Sequence, residues 1–307
     1  MNIVIIGTGY VGLVTGVGLA SLGNNINFLD LDENKIQNLS NKKITFYEPG
    51  LEECFNDDET FSRMFFSSDY ASIEWQNIDI VFVCVQTPNN LETNSVDTNF
   101  LESAIKEINN VNNDDLVITI KSTIPPYEIE KVCEKVGMDS SKLTFNPEFL
   151  REGTAVEDFF KPDRIVLGGT NNEKLNKLKE LYTDFDCEII TTDSISSQLI
   201  KYLANTYLPL RLSFVNEATR LIDYSGGNLD DVLKGVGLDN RIGQHYFRPS
   251  PSWGGSCFPK DLVEVNNFYD KDKLNLPLIS NIINSNDIHA DWTSENIKEL
   301  YESKKLE

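Results

Sequence analysis

One cysteine in this sequence lies in surroundings that favour nucleophilic chemistry. Cys257 belongs to the segment GGSCFPKD (residues 254–261), with two glycines before it and a proline after it. The proline predicts the start of a helix, and the positive end of a helix dipole favours a thiolate. A thiolate can hold an aldehyde as a thiohemiacetal, which loses hydride to give a thioester that water cleaves. The alternative is a buried structural cysteine, which is the interpretation we favour for Cys84 and Cys133 in their apolar surroundings.

Two polar side chains in the second half of the sequence, Lys201 and Asn205, stand four residues apart. On a helix this spacing places both on one face, where a cation and an amide donor could stabilise a developing oxyanion. The alternative is an exposed polar face. Pro209 favours the first interpretation, because it removes the donor to the Asn205 carbonyl, and a helix that tolerates such a break usually has a positional reason.

Three carboxylates are candidates for acid–base chemistry. Glu148 and Glu152 have the spacing of one helix face, if that segment is helical, and Asp261 follows the candidate nucleophile. Such groups could accept protons and manage a water molecule. For Asp261 the alternative is a stabilising charge in the first turn of a helix. His245 and His289 lie far apart in the chain and form no metal-ligand pattern, so no metal is expected.

The segment GTGYVG (residues 7–12) has the spacing of a dinucleotide-binding loop between a strand and a helix. Its three glycines would allow a tight turn, let a pyrophosphate approach the backbone and let helix pack on strand. Asp30 ends the next apolar run, where a carboxylate would bind ribose hydroxyls and repel a 2′-phosphate. NAD is therefore expected rather than NADP. Asp32 could replace Asp30, and Lys35 is either a ribose contact or a solvated lysine.

Polar residues also follow three other apolar runs. They form the segments QTP (86–88), KST (121–123) and NPEFLREG (146–153). Ligands of doubly wound folds bind outside the carboxyl ends of the strands, so these segments are expected at one edge of the sheet.

The elements that must position these residues alternate between strand and helix. Strands are predicted at residues 2–6, 26–29, 78–85, 116–120, 143–145, 164–167 and 188–190, with helices at 100–109, 126–136 and 172–185. A long helix is predicted from about residue 194 to the double glycine at 226–227, then a loop at 241–259 and helices at 260–268 and 278–299. We therefore expect a Rossmann-like, doubly wound parallel sheet at residues 1–193 and an all-helical domain at 194–307 that carries the Cys257 loop.

The charge balance and the cysteine usage exclude several classes of protein. The chain has 27 basic and 48 acidic residues, a formal net charge of −21, which disfavours nucleic acid as a partner. Its longest apolar run, at residues 80–85, is too short to span a membrane. Five scattered cysteines, an odd number, predict reduced thiols and a cytoplasmic location.

In this order, GTGYVG, NPEFLREG and GGSCFPKD resemble the UDP-glucose/GDP-mannose dehydrogenase family over essentially the whole chain. The resemblance implies a metal-free, NAD⁺-dependent, four-electron oxidation of a nucleotide sugar's primary alcohol to a carboxylate. It implies UDP-glucose as the substrate, UDP-glucuronate as the product, and a homodimer formed through the helical domain.

The resemblance also implies roles for individual residues. Thr123 resembles the residue that holds water, and Arg241 the arginine that reaches the substrate across the dimer. The implied catalytic residues are Cys257, Lys201, Asn205, Asp261, Thr123, Glu148 and Glu152. The implied cofactor-binding residues are Gly7, Gly9, Tyr10, Val11, Gly12, Asp30, Lys35, Thr87, Thr123, Glu152 and Lys260. The implied substrate-binding residues are Glu148, Phe149, Leu150, Arg151, Lys201, Asn205, Arg241, Tyr246, Gly254 and Gly255.

Two features depart from the family's pattern. Trp253 stands before the double glycine, where members usually carry a different aromatic pattern, which leaves the sugar open. The family also continues into a third, UDP-binding domain; the sequence ends at Glu307, about where that domain would begin, so we expect it to be absent and NAD binding to be kept. The alternatives are a GDP-mannose or UDP-N-acetylhexosamine dehydrogenase, or a non-catalytic NAD-binding dimerisation module.

Overall fold

A computed structural model describes residues 1–90, 95–268 and 274–303 of the 307-residue chain. The chain divides into two compact units. The first comprises Met1–Asn90 and Val96–Lys201, and the second comprises Ser95 and the described chain from Tyr202 onward. The domain boundary that the sequence suggests, between residues 193 and 194, stays a prediction.

The first unit is built on an eight-stranded sheet within the described residues. Its strands are β1 (Asn2–Ile6), β2 (Asn25–Leu29), β3 (Met64–Ser67), β4 (Ile80–Val83), β7 (Val117–Ile120), β8 (Leu143–Phe145), β9 (Arg164–Gly169) and β10 (Glu188–Thr192), in the spatial order β10-β9-β8-β7-β4-β1-β2-β3. Two further strands, β5 (Asn89–Asn90) and β6 (Ser95–Val96), are two residues long.

The sheet is mostly parallel, as the predicted doubly wound fold requires, and one pair of neighbouring strands is antiparallel. Strand β9 pairs antiparallel with β8, with Phe145 opposite Gly168, and β10 runs parallel to β9. A parallel connection must carry the chain back across the sheet. Here the helix between β8 and β9, α7 (Ala155–Phe160), has only six residues, which span about 9 Å. Strand β9 therefore starts at the edge where β8 ends.

The helices of the first unit connect and cover these strands. They are α1 (Tyr10–Ser21), α2 (Glu33–Ser40), α3 (Leu51–Asn56), α4 (Asp58–Ser62), α5 (Asn99–Asn109), α6 (Pro126–Val136), α7 and α8 (Asn172–Glu180), with 3-10 turns at Tyr70–Ser72, Trp75–Asn77 and Ser140–Lys142. The sequence pattern predicts α6 with the same bounds and α5 within one residue, and it misses β3.

The core of the first unit lies on both faces of the sheet. Successive side chains of a strand point to opposite faces. In β1, Ile3 and Ile5 pack into one buried cluster with α1 and α7, whereas Val4 and Ile6 pack into another with α5 and α6. This separation confirms the doubly wound architecture and leaves the carboxyl ends of the strands for the loops.

The second unit is helical, as the sequence predicts. It contains the chain of α9 (Ser194–Ser225) from Tyr202 on, then α10 (Leu229–Gly237), α11 (Phe258–Phe268), α12 (Pro277–Ser280) and α13 (Ile282–Glu302). The departure from the family's pattern, Trp253, is buried and donates from Nε1 to the Ser213 hydroxyl at 2.8 Å. None of the helices in the described ranges is long and apolar enough to cross a membrane.

Candidate functional site

The glycine loop after β1 has the geometry that a dinucleotide-binding turn requires. Gly7 has φ +94°, and a Cβ there would lie 2.7 Å from the Cys84 carbonyl oxygen. A Cβ on Gly12 would lie 1.9 Å from the Gly7 carbonyl oxygen, so helix and loop approach too closely for a side chain. At Gly9 a Cβ would meet no described atom within 4 Å, and no described side chain caps the N-terminus of α1. The loop therefore fits a pyrophosphate.

Asp30 is held against this loop by hydrogen bonds. Its Oδ2 accepts from the Thr8 amide and from the Thr8 hydroxyl, both at 2.8 Å, and lies 3.7 Å from Lys35 Nζ. Burial alone would raise the pKa of Asp30, but these hydrogen bonds, that of the Asp32 amide and the charge of Lys35 hold it below its usual value. Asp32 instead caps α2, accepting from the amides of Asn34 and Lys35.

A buried carboxylate that the sequence analysis missed ties the glycine loop to the NPEFLREG segment. Glu48 accepts hydrogen bonds from the Tyr10 hydroxyl at 2.6 Å, the Gly153 amide at 2.9 Å and the Ala155 amide at 2.8 Å. Burial raises the pKa of Tyr10 and the bond to Glu48 raises it further, so Tyr10 stays a donor. Tyr10, one of the implied cofactor-binding residues, is therefore held in place by the hydrogen bond from its hydroxyl to Glu48.

The segments 86–88, 121–123 and 146–153 meet at the carboxyl ends of the strands. The Thr87 hydroxyl donates to the Thr123 carbonyl at 2.8 Å. Lys121 Nζ donates to Asn146 Oδ1 at 2.9 Å, which also accepts from the buried hydroxyl of Tyr182 at 2.7 Å. These contacts link three strand ends, as expected from the parallel arrangement of β4, β7 and β8.

Glu148 and Lys201 form a buried ion pair in the first unit. Lys201 Nζ lies 2.8 Å from Glu148 Oε1 and also donates to the Glu148 carbonyl, while the Leu150 amide donates to Oε2. The two residues are 9% and 4% exposed. Burial opposes the charge of Glu148, but Lys201 outweighs it, so the pKa of Glu148 lies below its usual value.

Glu148 and Glu152 do not share a helix face, because the condition that their segment is helical is not met. The NPEFLREG segment is a loop, and α7 begins only at Ala155, so Glu148 points into the buried pair with Lys201 while Glu152 is exposed. The four-residue spacing was misleading because Pro147 and Gly153 favour a loop over a helix in this segment.

Phe149 is stacked under a cation that the sequence analysis also missed. The guanidinium carbon of Arg164 lies 3.6 Å from the centre of the Phe149 ring, and Lys201 Nζ lies 5.4 Å from it. Arg164 reaches Phe149 because the antiparallel β9 starts at this edge of the sheet. Arg151 is exposed and is held by Asp158, with Nε 3.0 Å from Oδ2.

The second unit contains the candidate nucleophile and its neighbours. Cys257 is exposed and directly precedes the first residue of α11, as predicted from Pro259. The Cys257 carbonyl accepts a hydrogen bond from the Asp261 amide at 2.9 Å, and this bond closes the first turn of the helix. Asp261 is buried. It accepts a hydrogen bond from Asn205 Nδ2 at 2.7 Å and forms an ion pair with Lys260 Nζ at 2.9 Å.

Four other implied substrate residues lie in the loops of the second unit. Tyr246 has φ +53°, a left-handed conformation that is uncommon for a non-glycine residue. Gly255 has φ +93°, and a Cβ on Gly254 would meet no described atom within 4 Å. Arg241 is exposed and pairs with Asp239 in the turn after α10.

The remaining cysteines and histidines contribute no described site. Burial raises the pKa of Cys84 to about 12 and that of Cys133 to about 11, as expected of structural thiols. His289 is buried against the Ser250 carbonyl, and burial lowers its pKa. The described part of the chain has no group of three or more His, Cys, Asp or Glu side chains that could hold a metal ion.

Comparison with known sequences decides the family. The sequence model of the UDP-glucose/GDP-mannose dehydrogenase family, NAD binding domain, matches residues 1–186, and that of the family's central domain matches residues 195–288. This chain belongs to the UDP-glucose/GDP-mannose dehydrogenase family. The first unit therefore corresponds to the family's NAD-binding domain, which confirms both the resemblance read from the motifs and the expectation of NAD.

Individual relatives support the same assignment. The chain is 39% identical over 291 residues to a UDP-glucose 6-dehydrogenase of Rickettsia felis, covering 93% of this chain and 64% of the relative. It is 35% identical to a UDP-glucose 6-dehydrogenase of Bacillus subtilis, over 93% of this chain and 63% of the relative. A UDP-glucose dehydrogenase structure from Pyrobaculum islandicum matches with a TM-score of 0.85 and 33% identity, covering 94% of this chain and 68% of that one. The chain thus spans less than two thirds of those two curated relatives.

Proposed function

We propose that this chain takes part in the NAD⁺-dependent oxidation of UDP-glucose to UDP-glucuronate. The observation that carries the proposal is the exposed Cys257 directly before α11, one helical turn ahead of the Lys260–Asp261 pair that Asn205 also contacts. The names of the family and of the relatives support a nucleotide sugar as the substrate.

The chemistry proceeds in two oxidations joined at the thiol. The primary alcohol loses a hydride and a proton to become an aldehyde. The thiolate of Cys257 then adds to the aldehyde carbon, and the carbonyl oxygen takes up a proton to give a thiohemiacetal. Loss of a second hydride and proton gives a thioester, and water cleaves it to the carboxylic acid and the free thiol. Each of the two hydrides would be accepted by its own molecule of bound NAD⁺.

The residues around the reacting group would bind the substrate, stabilise its oxygen atoms or accept protons. Lys201 and Asn205 would stabilise the oxyanions, and Thr123 would hold the attacking water. Asp261 and Glu152 would accept protons, and Lys260 keeps Asp261 paired. Phe149, stacked under Arg164, would bind the sugar nucleotide.

A panel of nucleotide sugars tests the proposal. The purified chain, and the same chain within its longer natural sequence if it has one, would be incubated with NAD⁺ and UDP-glucose, GDP-mannose or a UDP-N-acetylhexosamine while NADH absorbance is followed. We expect two NADH for each UDP-glucose. Preference for another sugar would reassign the substrate, and NAD⁺ binding without turnover of any sugar would favour the non-catalytic module.

Replacing Asp30 with alanine should weaken NAD⁺ binding and reduce the difference in affinity between NAD⁺ and NADP⁺. The reason is that an anchored carboxylate binds ribose hydroxyls and repels a 2′-phosphate. Titration calorimetry with both cofactors measures the change, and Asp32→Ala serves as the control because Asp32 caps α2 instead. Equal affinity of the unchanged protein for both cofactors would contradict the role of Asp30.

We also propose a homodimer formed through α9. This helix exposes large apolar side chains that a solvated helix rarely carries, namely Ile195, Leu203, Tyr207, Phe214 and Leu221. Sedimentation at micromolar concentration should show a dimer, and Phe214→Glu should shift it toward monomer. Phe65→Glu is the matched control, because Phe65 on β3 is similarly exposed, 57% against 58% for Phe214. A monomer in the unchanged protein would remove the basis for placing Arg241 in a neighbouring site.

A further inference from the structure

Helix α11 buries a carboxylate that no step proposed above uses. Glu264 is 3% exposed and lies one helical turn after the Lys260–Asp261 pair. Its Oε1 lies 3.0 Å from Lys260 Nζ, and its Oε2 accepts a hydrogen bond from the hydroxyl of Tyr202 on α9. A carboxylate is rarely buried unless it is paired, and Glu264 is paired with Lys260, three residues after the candidate nucleophile.

The contacts continue from Glu264 to the carboxylate proposed to accept protons. Lys260 Nζ lies 2.9 Å from Asp261 Oδ1, and Asn205 Nδ2 donates to Asp261 Oδ2 at 2.7 Å. Tyr202, Glu264, Lys260, Asp261 and Asn205 therefore form one continuous chain of hydrogen bonds and ion pairs, called here the Glu264 chain. All five residues belong to the second unit.

The Glu264 chain contains two carboxylates and one ammonium group. It carries one net negative charge when both carboxylates are ionised and none when one holds a proton. Burial raises the pKa of Glu264 to about 7; the charge of Asp261 adds to this, while Lys260 and the Tyr202 hydroxyl oppose it. Burial opposes the charge of Lys260, but the two carboxylates outweigh it and raise its pKa, so Lys260 stays an ammonium.

We propose that Glu264 is a positioning residue that acts through Lys260 and determines how much of that ammonium's charge remains to neutralise Asp261 during the oxidation. When Glu264 is protonated, Lys260 neutralises Asp261 alone. When Glu264 is ionised, both carboxylates share the same ammonium, and a carboxylate that shares its counter-ion is a stronger base. The inference rests on the proposed function, because it assigns Asp261 to proton transfer.

The inference predicts a specific pH dependence. In the unchanged protein, kcat should rise as Glu264 ionises near pH 7. Glu264→Gln should remove this rise, because the amide has the same shape and no titrating proton. Tyr202→Phe should move the rise to higher pH, because the hydroxyl that stabilises the ionised form is lost. Glu295→Gln removes an exposed carboxylate on α13 and should leave the profile in place.

A second measurement, the pH dependence of thermal unfolding, does not require turnover. A raised folded-state pKa means that the native protein keeps a proton that the unfolded chain has already released. The contribution of Glu264 to stability is therefore present in acid and is lost as the pH rises toward 7. Between about pH 5 and about pH 8, the Tm of the unchanged protein should fall relative to that of Glu264→Gln.

The two measurements separate failure of the inference from failure of the function. A rise of kcat near neutral pH that persists in Glu264→Gln overturns the inference while leaving the dehydrogenase activity intact. A Tm difference that does not change with pH also overturns it, because Glu264 then does not titrate. Absence of sugar oxidation in the unchanged protein overturns the proposed function, and with it the role of Glu264, even if the Tm data show titration. Loss of the rise in Glu264→Gln and its shift in Tyr202→Phe support the inference.

Discussion

Replacing Cys257 with alanine is expected to abolish the conversion of alcohol to acid and to leave NAD⁺ binding unchanged. Without the thiol the aldehyde has no partner with which to form the thioester, whereas the glycine loop and Asp30 are untouched. NADH formation with UDP-glucose measures the first effect, and calorimetric titration with NAD⁺ measures the second. Cys187→Ala is the control, since Cys187 is a partly exposed thiol in the first unit.

The serine variant gives a more specific result. Cys257→Ser can still add its hydroxyl to the aldehyde, and loss of hydride from that adduct gives an ester. An ester is cleaved more slowly than a thioester, so an acyl-enzyme should accumulate and appear in the intact-protein mass after incubation with NAD⁺ and substrate. Full two-step turnover by Cys257→Ala would contradict the covalent mechanism.

The largest loss of stability is expected at the buried pair of Lys201 and Glu148. Lys201→Met leaves the Glu148 charge without its buried counter-ion, and breaking such a pair typically costs about 3–5 kcal/mol of unfolding free energy. Urea unfolding measures the loss. The double variant Lys201→Met/Glu148→Gln should recover much of it, because no unpaired charge remains.

A second ion pair in the chain provides a matched control. Lys131 and Glu128 lie at the same Nζ–Oε1 distance of 2.8 Å, but their side chains are 59% and 17% exposed against 5% and 9% for Lys201 and Glu148. Lys131→Met should cost less than about 1 kcal/mol, because solvent screens exposed pairs. Equal losses at the two sites would mean that burial does not govern the Lys201–Glu148 pair.

The Lys201–Glu148 pair also makes the unfolding free energy depend on pH in the acid range. The pKa of Glu148 is lower in the folded chain than in the unfolded one. Its contribution is therefore complete above the unfolded-state pKa and is lost as the pH falls through the folded-state pKa. The difference in unfolding free energy between Lys201→Met and the unchanged protein should shrink in this acid range.

Sequence spacing predicts the local parts of this molecule well. Four features follow from neighbouring residues: the glycine loop, Asp30 directly after β2, the start of α11 directly after Cys257, and the bounds of α6. Turns, caps and helix faces are determined within a few positions. The long helix that begins at Ser194 follows for the same reason, and a single Pro209 does not end it.

Distant contacts could not be predicted, because no local pattern encodes them. Glu48 binds the Gly153 amide, 105 residues away in the chain. Arg164 reaches Phe149 only because β9 runs antiparallel, and an apolar run reads the same in either direction. The i, i+4 spacing of Lys260 and Glu264 is visible in the sequence, but their burial beside Tyr202 depends on the packing of α11 against α9.

The three hydrogen bonds of Glu48 have a consequence for how the sequence can vary over evolution. A phenylalanine at position 10 would remove one donor from a buried carboxylate. A change of Glu48 alone would leave the Tyr10 hydroxyl with only the Arg151 carbonyl at 3.4 Å and would remove the acceptor of two backbone amides. Each single change is costly, whereas the paired change of Tyr10 and Glu48 leaves only the amides to be satisfied. Positions 10 and 48 should therefore covary among homologues, although they lie on different segments and neither is expected to touch the reacting carbon.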